Sequence, residues 1–269
     1  MTNTRPLILL TNDDGIASPG LHAAAQAVAD LGEIYVVAPK KQQSATGRSL
    51  PPTDGLIHEE RIPGLDARAY SINGSPATAV LYAMYEILPR LPDIVICGIN
   101  YGENLGSGIT ASGTVGAALE ASTWGAPSLA VSLETDPRYH YSHSDAVDFA
   151  IAALVTRRFA CWLLNHRLPA GVDALKIDIP NDASDKTPWR LTRVSRQTYL
   201  KPTRTLNAEG MRNEPLGYQV RIDEDALEPD SDIAAFRRER VISVSPITFD
   251  LSALGQKEAL LASLRELDS

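Results

Sequence analysis

The sequence predicts an α/β protein: a Rossmann-like, doubly wound and mostly parallel sheet, extended at its C-terminus by a β-hairpin or arm used in oligomerisation. Three observations carry this expectation. Short apolar runs end in polar turns at residues 7–11, 34–38, 93–97, 128–133 and 175–179. Helix-period segments lie between them, two of them opened by Ser-Pro pairs at 18–19 and 75–76. After residue 182 the texture changes to extended segments without intervening helices. Strands that alternate with helices imply a parallel sheet covered on both faces, with right-handed crossovers.

Each element has a local reason. Leu7 to Thr11 is an apolar run of the kind a buried parallel strand needs. Ser18 can cap the next helix and Pro19 suits its first position; Leu21, Ala24, Ala25, Val28 and Leu31 follow at helical spacing until Gly32. A strand at 34–38 closes at Pro39. Ser75-Pro76 opens a second helix through Val80, Met84 and Ile87 to Pro89, and Asp93 to Cys97 forms the next strand. A glycine-rich loop leads to a helix from about Ser112 to Trp124 and a strand at 128–133. Residues 144–166 read as a long helix with Val147, Ile151, Leu154 and Val155 on one face, followed by the strand at 175–179. Beyond these, 190–200 and 217–222 read as extended, 201–215 as polar and flexible, 241–247 as a strand and 256–267 as an amphipathic terminal helix. The expected division is a core at 1–182 that binds metal and phosphate, and an extension at 183–269 that packs back on the core or on a neighbouring subunit.

With 25 basic and 33 acidic residues the net charge of the 269-residue chain is -8, which argues against a grip on duplex nucleic acid. Hydrophobic residues at 44% supply a sizeable core. No stretch reaches the ~18 consecutive apolar residues of a membrane span. Cys97 and Cys161 lack paired spacing, so they read as reduced thiols and the expected location is the cytoplasm.

Ligands of open α/β sheets bind beyond the carboxyl ends of the strands. Three polar clusters fall there: Asn12-Asp13-Asp14-Gly15, then Lys40, Gln42, Gln43 and Ser44, then Asn100 to Asn104. Adjacent carboxylates at a strand end repel each other, a cost a cation offsets. Asp13, Asp14, the Ser44 hydroxyl and the Asn100 amide oxygen supply the oxygen-only set that a hard divalent ion such as Mg²⁺ or Mn²⁺ prefers. The run from Gly106 to Thr114 is a candidate phosphate cradle, since small residues expose amides at a positive helix start. It lacks the lysine of a P-loop and the spacing of a dinucleotide fingerprint. His140 and His143 have no companion acid at zinc-site spacing and read as loop residues; Arg237-Arg238-Glu239-Arg240 reads as a solvated face.

These motifs resemble the SurE family of survival-protein-type 5'/3'-nucleotidases. The resemblance rests on Leu9 to Gly15 with Pro19-Gly20, Val37-Ala38-Pro39 with Gln43-Ser44, Gly74 to Ala77, Gly98-Ile99-Asn100, Ser112 to Val115 and, more weakly, Ser243 to Ile247. The chain departs from the family pattern at Lys40, Ala45 and Cys97, where an acid, a glycine and a serine are usual. The resemblance implies a phosphomonoesterase that releases phosphate from nucleoside monophosphates with one divalent ion per subunit, held by Asp13, Asp14, Ser44 and Asn100. It also implies homodimers or homotetramers built with swapped C-terminal arms. In the expected mechanism, metal-assisted attack of water uses Asp13 as proton acceptor. Amides near Ser112, Gly113 and Thr114, with Asn12 or Ser107, hold phosphoryl oxygens. An aspartyl-phosphate route is the mechanistic alternative; a non-enzymatic nucleotide-binding or regulatory protein on the same scaffold is the functional one.

Overall fold

A computed structural model describes residues 5–204 and 217–268. Its main sheet has nine strands, for which the elements are β1 (Leu7–Thr11), β2 (Glu33–Pro39), β3 (Ile57–Glu60), β4 (Arg68–Ile72), β5 (Ile94–Tyr101), β6 (Ser128–Leu133), β7 (Ala174–Ile179), β8 (Trp189–Leu191) and, after a separate pair β9 (Leu200–Thr203) and β10 (Gly217–Val220), β11 (Ile242–Ile247). The order across the sheet is β3-β4-β2-β1-β5-β6-β7-β11-β8. The six strands from β4 to β7 are mutually parallel, while β3 and β11 flank them antiparallel.

Helices cover both faces, as buried parallel strands require. On one face α1 (Pro19–Val28) and α4 (Ala150–Asn165) pack over Ile8, Leu10, Val36, Ile96 and Val131. On the other, α2 (Pro76–Tyr82) and α3 (Gly113–Thr123) pack over Leu7, Leu9, Val37, Val95 and Ala130. The alternation within β1 thus feeds both cores. The chain runs from β1 outward to β2 and returns to place β5 on the other side of β1, so the order reverses between β1 and β5. That reversal opens the crevice in which this class of sheet binds ligands.

Several elements depart from the expectations. Ser75 and Ser112 cap α2 and α3 by accepting from the amides of Thr78 and Val115, but the Ser18 hydroxyl makes no such bond, and Pro19 alone marks the start of α1. The second helix widens into a π-type turn at Ala83–Ile87. The long helix begins at Ala150 rather than 144, because the side chains of Ser144 and Asp148 take the amides of Ala146 and Ala150 and hold a local turn. The hairpin β3–β4 at the sheet edge has no counterpart among the sequence-based expectations. The extension adds β8 and β11 to the main sheet and a short helix α5 (Asp232–Arg237), and β9 pairs antiparallel with β10; most of the polar segment at 201–215 lies outside the described residues. The terminal helix α6 (Lys257–Leu264) is present, with Leu260, Leu261 and Leu264 all exposed.

Candidate active site

The acid pair sits where β1 ends. Thr11, Asn12, Asp13 and Asp14 are all buried, and the turn closes when the Asn12 amide both donates to and accepts from Gly15, at 3.1 Å each way. Gly15 takes φ +99°, a left-handed value that sends the chain back under Pro39, whose carbonyl accepts the Ile16 amide.

Asp13 points at the start of α3. Its Oδ1 accepts the Thr114 hydroxyl at 2.6 Å, and the amides of Gly113 and Thr114 face the carboxylate. The two elements meet so closely that a Cβ on Gly113 would lie 2.7 Å from the Asp13 Cβ. The Thr114 hydroxyl is also 3.3 Å from the Asn100 Oδ1. Asn100 spends its amide nitrogen on the carbonyls of Gly102 and Tyr101, at 2.7 and 3.2 Å, which turns its oxygen toward Thr114. A register shift between Cys97 and Asn100 in the β5–β6 ladder sets that orientation.

Asp14 faces the other way. Its Oδ2 accepts the Tyr101 amide and its Oδ1 the Gln42 amide, each at 3.3 Å. The same Gln42 nitrogen lies 3.0 Å from the Ser44 hydroxyl and 2.5 Å from the His140 carbonyl. Ser44 is exposed and reaches Asp14 through Gln42. The His143 ring rests 2.9 Å from the Asp14 carbonyl. The loop carrying both histidines therefore folds over the acid pair, a placement no spacing in the sequence signals.

Burial pushes the Asp13 carboxyl up, against hydrogen bonds from Thr114 and nearby amides that pull it down. Burial and then the charge of Asp13 push Asp14 well above the usual carboxylate range. Among the described residues no cationic side chain offsets either acid, and no group of three or more His, Cys, Asp or Glu is placed to hold a metal. The oxygens gathered at this strand end are those of two carboxylates, the Asn100 side-chain amide and the Thr114 hydroxyl.

Of the other cradle residues, Ser112 is buried at the cap of α3, whereas Ser107 is exposed; its hydroxyl lies 3.2 Å from that of Thr198 and its amide donates to Gln197. The loop from Glu103 to Gly106 is pinned by a charged cluster that the sequence pattern hides. Lys176, Asp178 and Asp232 are fully buried, with the Lys176 ammonium bonded to Asp178 and 3.1 Å from Asp232. Asp178 accepts the Asn104 amide, Asp232 the Gly106 amide, and Lys176 donates to the Asn104 carbonyl. Burial lifts the Asp178 carboxyl to about 6 despite the facing ammonium.

The model of a family described as survival protein SurE matches residues 8–201. The chain belongs to the SurE family. It is 43% identical over 247 residues to the 5'-nucleotidase SurE of Thermococcus gammatolerans, covering 91% of each chain. It is 37% identical over 268 residues to the 5'-nucleotidase SurE of Methanocella arvoryzae, covering 96% of this chain and 98% of that one. The crystal structure of the SurE protein from Aquifex aeolicus superposes with a TM-score of 0.75 at 30% identity, covering 98% of this chain and all of that one. The segment matched to the SurE model includes Asp13, Asp14, Ser44, Asn100 and the whole cradle.

One departure from the SurE pattern has a structural counterpart. Ala45, where glycine is usual, holds φ +60°. That conformation crowds a Cβ by about 1–2 kcal/mol, partly offset by glycine's greater freedom when unfolded. Ala45→Gly is expected to raise stability by about 0.5–1 kcal/mol, read as a higher denaturation midpoint with unchanged slope.

Proposed function

We propose that this SurE-family chain is a metal-dependent phosphomonoesterase, a 5'-nucleotidase that releases phosphate from nucleoside 5'-monophosphates, with 3'-monophosphates the second ester class to be tried. The observation that supports it is the buried acid pair at the sheet reversal, which no cationic side chain among the described residues offsets, with Asp13 accepting a Thr114 hydroxyl that also lies against the Asn100 oxygen. Two buried like charges destabilise a fold unless a cation joins them. The relatives bearing the name 5'-nucleotidase SurE support the same reading over a purely nucleotide-binding one.

Asp13, Asp14, Asn100 and Ser44 would hold one Mg²⁺ or Mn²⁺ per subunit, an all-oxygen set suited to a hard ion. Such an ion, when bound, supplies charge neutralisation on the phosphoryl oxygens. Asp13 is the proton acceptor for the attacking water, since Thr114 and the α3 amides fix its carboxylate. The Ser112 hydroxyl would hold a phosphoryl oxygen at the helix start, with Ser107 at the rim; the amides of Gly113 and Thr114, which the sequence offers for the same task, are turned to Asp13, and Asn12 keeps the turn closed.

The division into a 1–182 core and a 183–269 extension belongs to this proposal, as does self-association. An apolar groove of about 650 Å³ between α4 and the β8 edge is lined by Phe159, Trp162, Leu168, Trp189 and Leu191. The exposed leucines of α6 are a second uncovered apolar face on the same chain. A homodimer or homotetramer would cover both. The free thiols of Cys97 and Cys161 support a cytoplasmic location. Among the described residues no helix is long and apolar enough to cross a membrane.

Phosphate release from a panel of nucleoside monophosphates should require Mg²⁺ or Mn²⁺, stop on chelation and return when the ion is restored. Nucleotide binding with no turnover under any divalent ion would overturn the reading.

A further inference from the structure

A cavity of about 190 Å³ lies between the loop after β6 and the β9–β10 pair; Glu103, Thr135, His140, Leu200, Tyr218 and Val220 line it, together with the charged Glu134, Asp136 and Arg237. Among the described residues five buried side-chain polar atoms lack a hydrogen-bond partner, and two of them, Glu103 Oε2 and Thr135 Oγ1, belong to residues of this wall. Such an atom costs about 1–3 kcal/mol when nothing meets it, so each calls for an explanation. Glu103 cannot satisfy itself by rotating, because its other oxygen is held at 2.8 Å by the hydroxyl of Tyr199, which is 1% exposed. Thr135 is 9% exposed.

We propose that this cavity is a pentose subsite, in which Glu103 and Thr135 take the vicinal hydroxyls of a ribonucleoside. The proposal rests on the phosphomonoesterase reading for the position of the phosphate. Three features point to a sugar. The cavity is smaller than the roughly 300–1,000 Å³ of pockets that enclose a drug-sized ligand, so it suits one ring rather than a whole nucleotide. The two unmet atoms are a carboxyl oxygen, which accepts, and a hydroxyl, which does both, and sugar hydroxyls match either. The wall also connects to the reaction centre: Gln42 holds Asp14 at 3.3 Å and the carbonyl of the wall residue His140 at 2.5 Å, and Glu103 follows Asn100 by three residues. A phosphate at the acid pair and a sugar in the cavity are then parts of one molecule. Leu200, Val220 and the Tyr218 ring, which stacks on His140 at 5.9 Å and 15°, leave an apolar rim for the base.

The test uses the full chain and separates binding from turnover. With chelator present, adenosine should bind about 10-fold tighter than 2'-deoxyadenosine by NMR titration, the worth of one well-made hydrogen bond. Glu103→Gln keeps an oxygen for Tyr199 but puts a donor where the acceptor stood, and it should erase that preference; Thr135→Val should weaken it. In turnover, Glu103→Gln should raise KM for adenosine 5'-monophosphate about 10-fold and leave p-nitrophenyl phosphate hydrolysis within twofold. Equal binding of the two nucleosides would leave the cavity to ordered water only and overturn the proposal. A parallel fall on both substrates would make Glu103 a fold residue and overturn it as well. If the wild type hydrolyses neither ester with any ion, the phosphomonoesterase reading fails, and the nucleoside titration still decides the subsite.

Discussion

Asp14→Asn is expected to abolish phosphate release and, in the same protein, to raise the melting temperature of the metal-free form. The loss should be at least about 10³-fold, since Asp14 is one of two charged donors proposed for an ion that stabilises the transition state by several kcal/mol. The gain in stability follows from burial. The substituted side-chain amide would keep an oxygen for the Tyr101 backbone N–H and remove a carboxylate that sits buried beside Asp13. Relief of about 1–2 kcal/mol corresponds to a few degrees in a chain of this size. The pH dependence has a definite sign. A carboxyl whose pKa is raised by folding stabilises the native state below its unfolded value, near 3.9, and loses that contribution as pH climbs through the raised value. Both acids are raised, so the metal-free wild type should lose stability from about pH 4 upward, and Asp14→Asn should lose less of it. Added Mn²⁺ should stabilise the wild type more at pH 8 than at pH 5, where protons compete for the same oxygens. Thermal melts of both proteins across pH, with and without the ion, read all of this. A variant that melts lower than the wild type without metal, or that keeps turnover, would remove the acid pair from the proposed role.

The strand ends are legible because a parallel strand buried on both faces is written as a short apolar run, and the first polar residues after it must emerge at one edge. That rule alone brings Asp13, Asp14 and Asn100 to one crevice. What it cannot supply is the partner of each group. Gln42 meets His140 across 98 residues, and His143 meets Asp14 across 129, through a loop whose sequence has no period. The edge strand β3 is hidden because Ile57-His58-Glu59-Glu60 carries no apolar run, being half-buried with only one neighbour. Leu175 to Ile179 reads as a strand, but nothing in its pattern tells where Lys176 and Asp178 are placed. They are buried because Asp232, far along the chain, closes the charge cluster. The start of α4 misleads for the opposite reason: apolar residues continue upstream, but short polar side chains capture the amides that a helix would need.

Gly113→Ala tests whether the glycines of the cradle serve backbone approach in general or one contact in particular. The sequence treats Gly106, Gly108 and Gly113 alike, as small residues that let amides near an anion. The structure separates two of them. An added methyl at Gly108 meets nothing within 4 Å, whereas at Gly113 it would stand 2.7 Å from the Asp13 Cβ and 2.9 Å from its Oδ2. Asp13 cannot yield by swinging its side chain, because the conflict begins at its Cβ and its carboxylate is tied to Thr114. Either α3 or the turn after β1 must move by several tenths of an ångström, and the proposed proton acceptor moves with it. Displacements of about 1 Å in a catalytic group cost on the order of 10²-fold, so kcat/KM should fall by about that factor. Overpacking should also cost about 1–3 kcal/mol of stability. Gly108→Ala should keep both within twofold and about 0.5 kcal/mol. Equal effects of the two substitutions, measured by phosphate release and urea unfolding, would mean that the loop acts by its flexibility and not by the seat it gives Asp13.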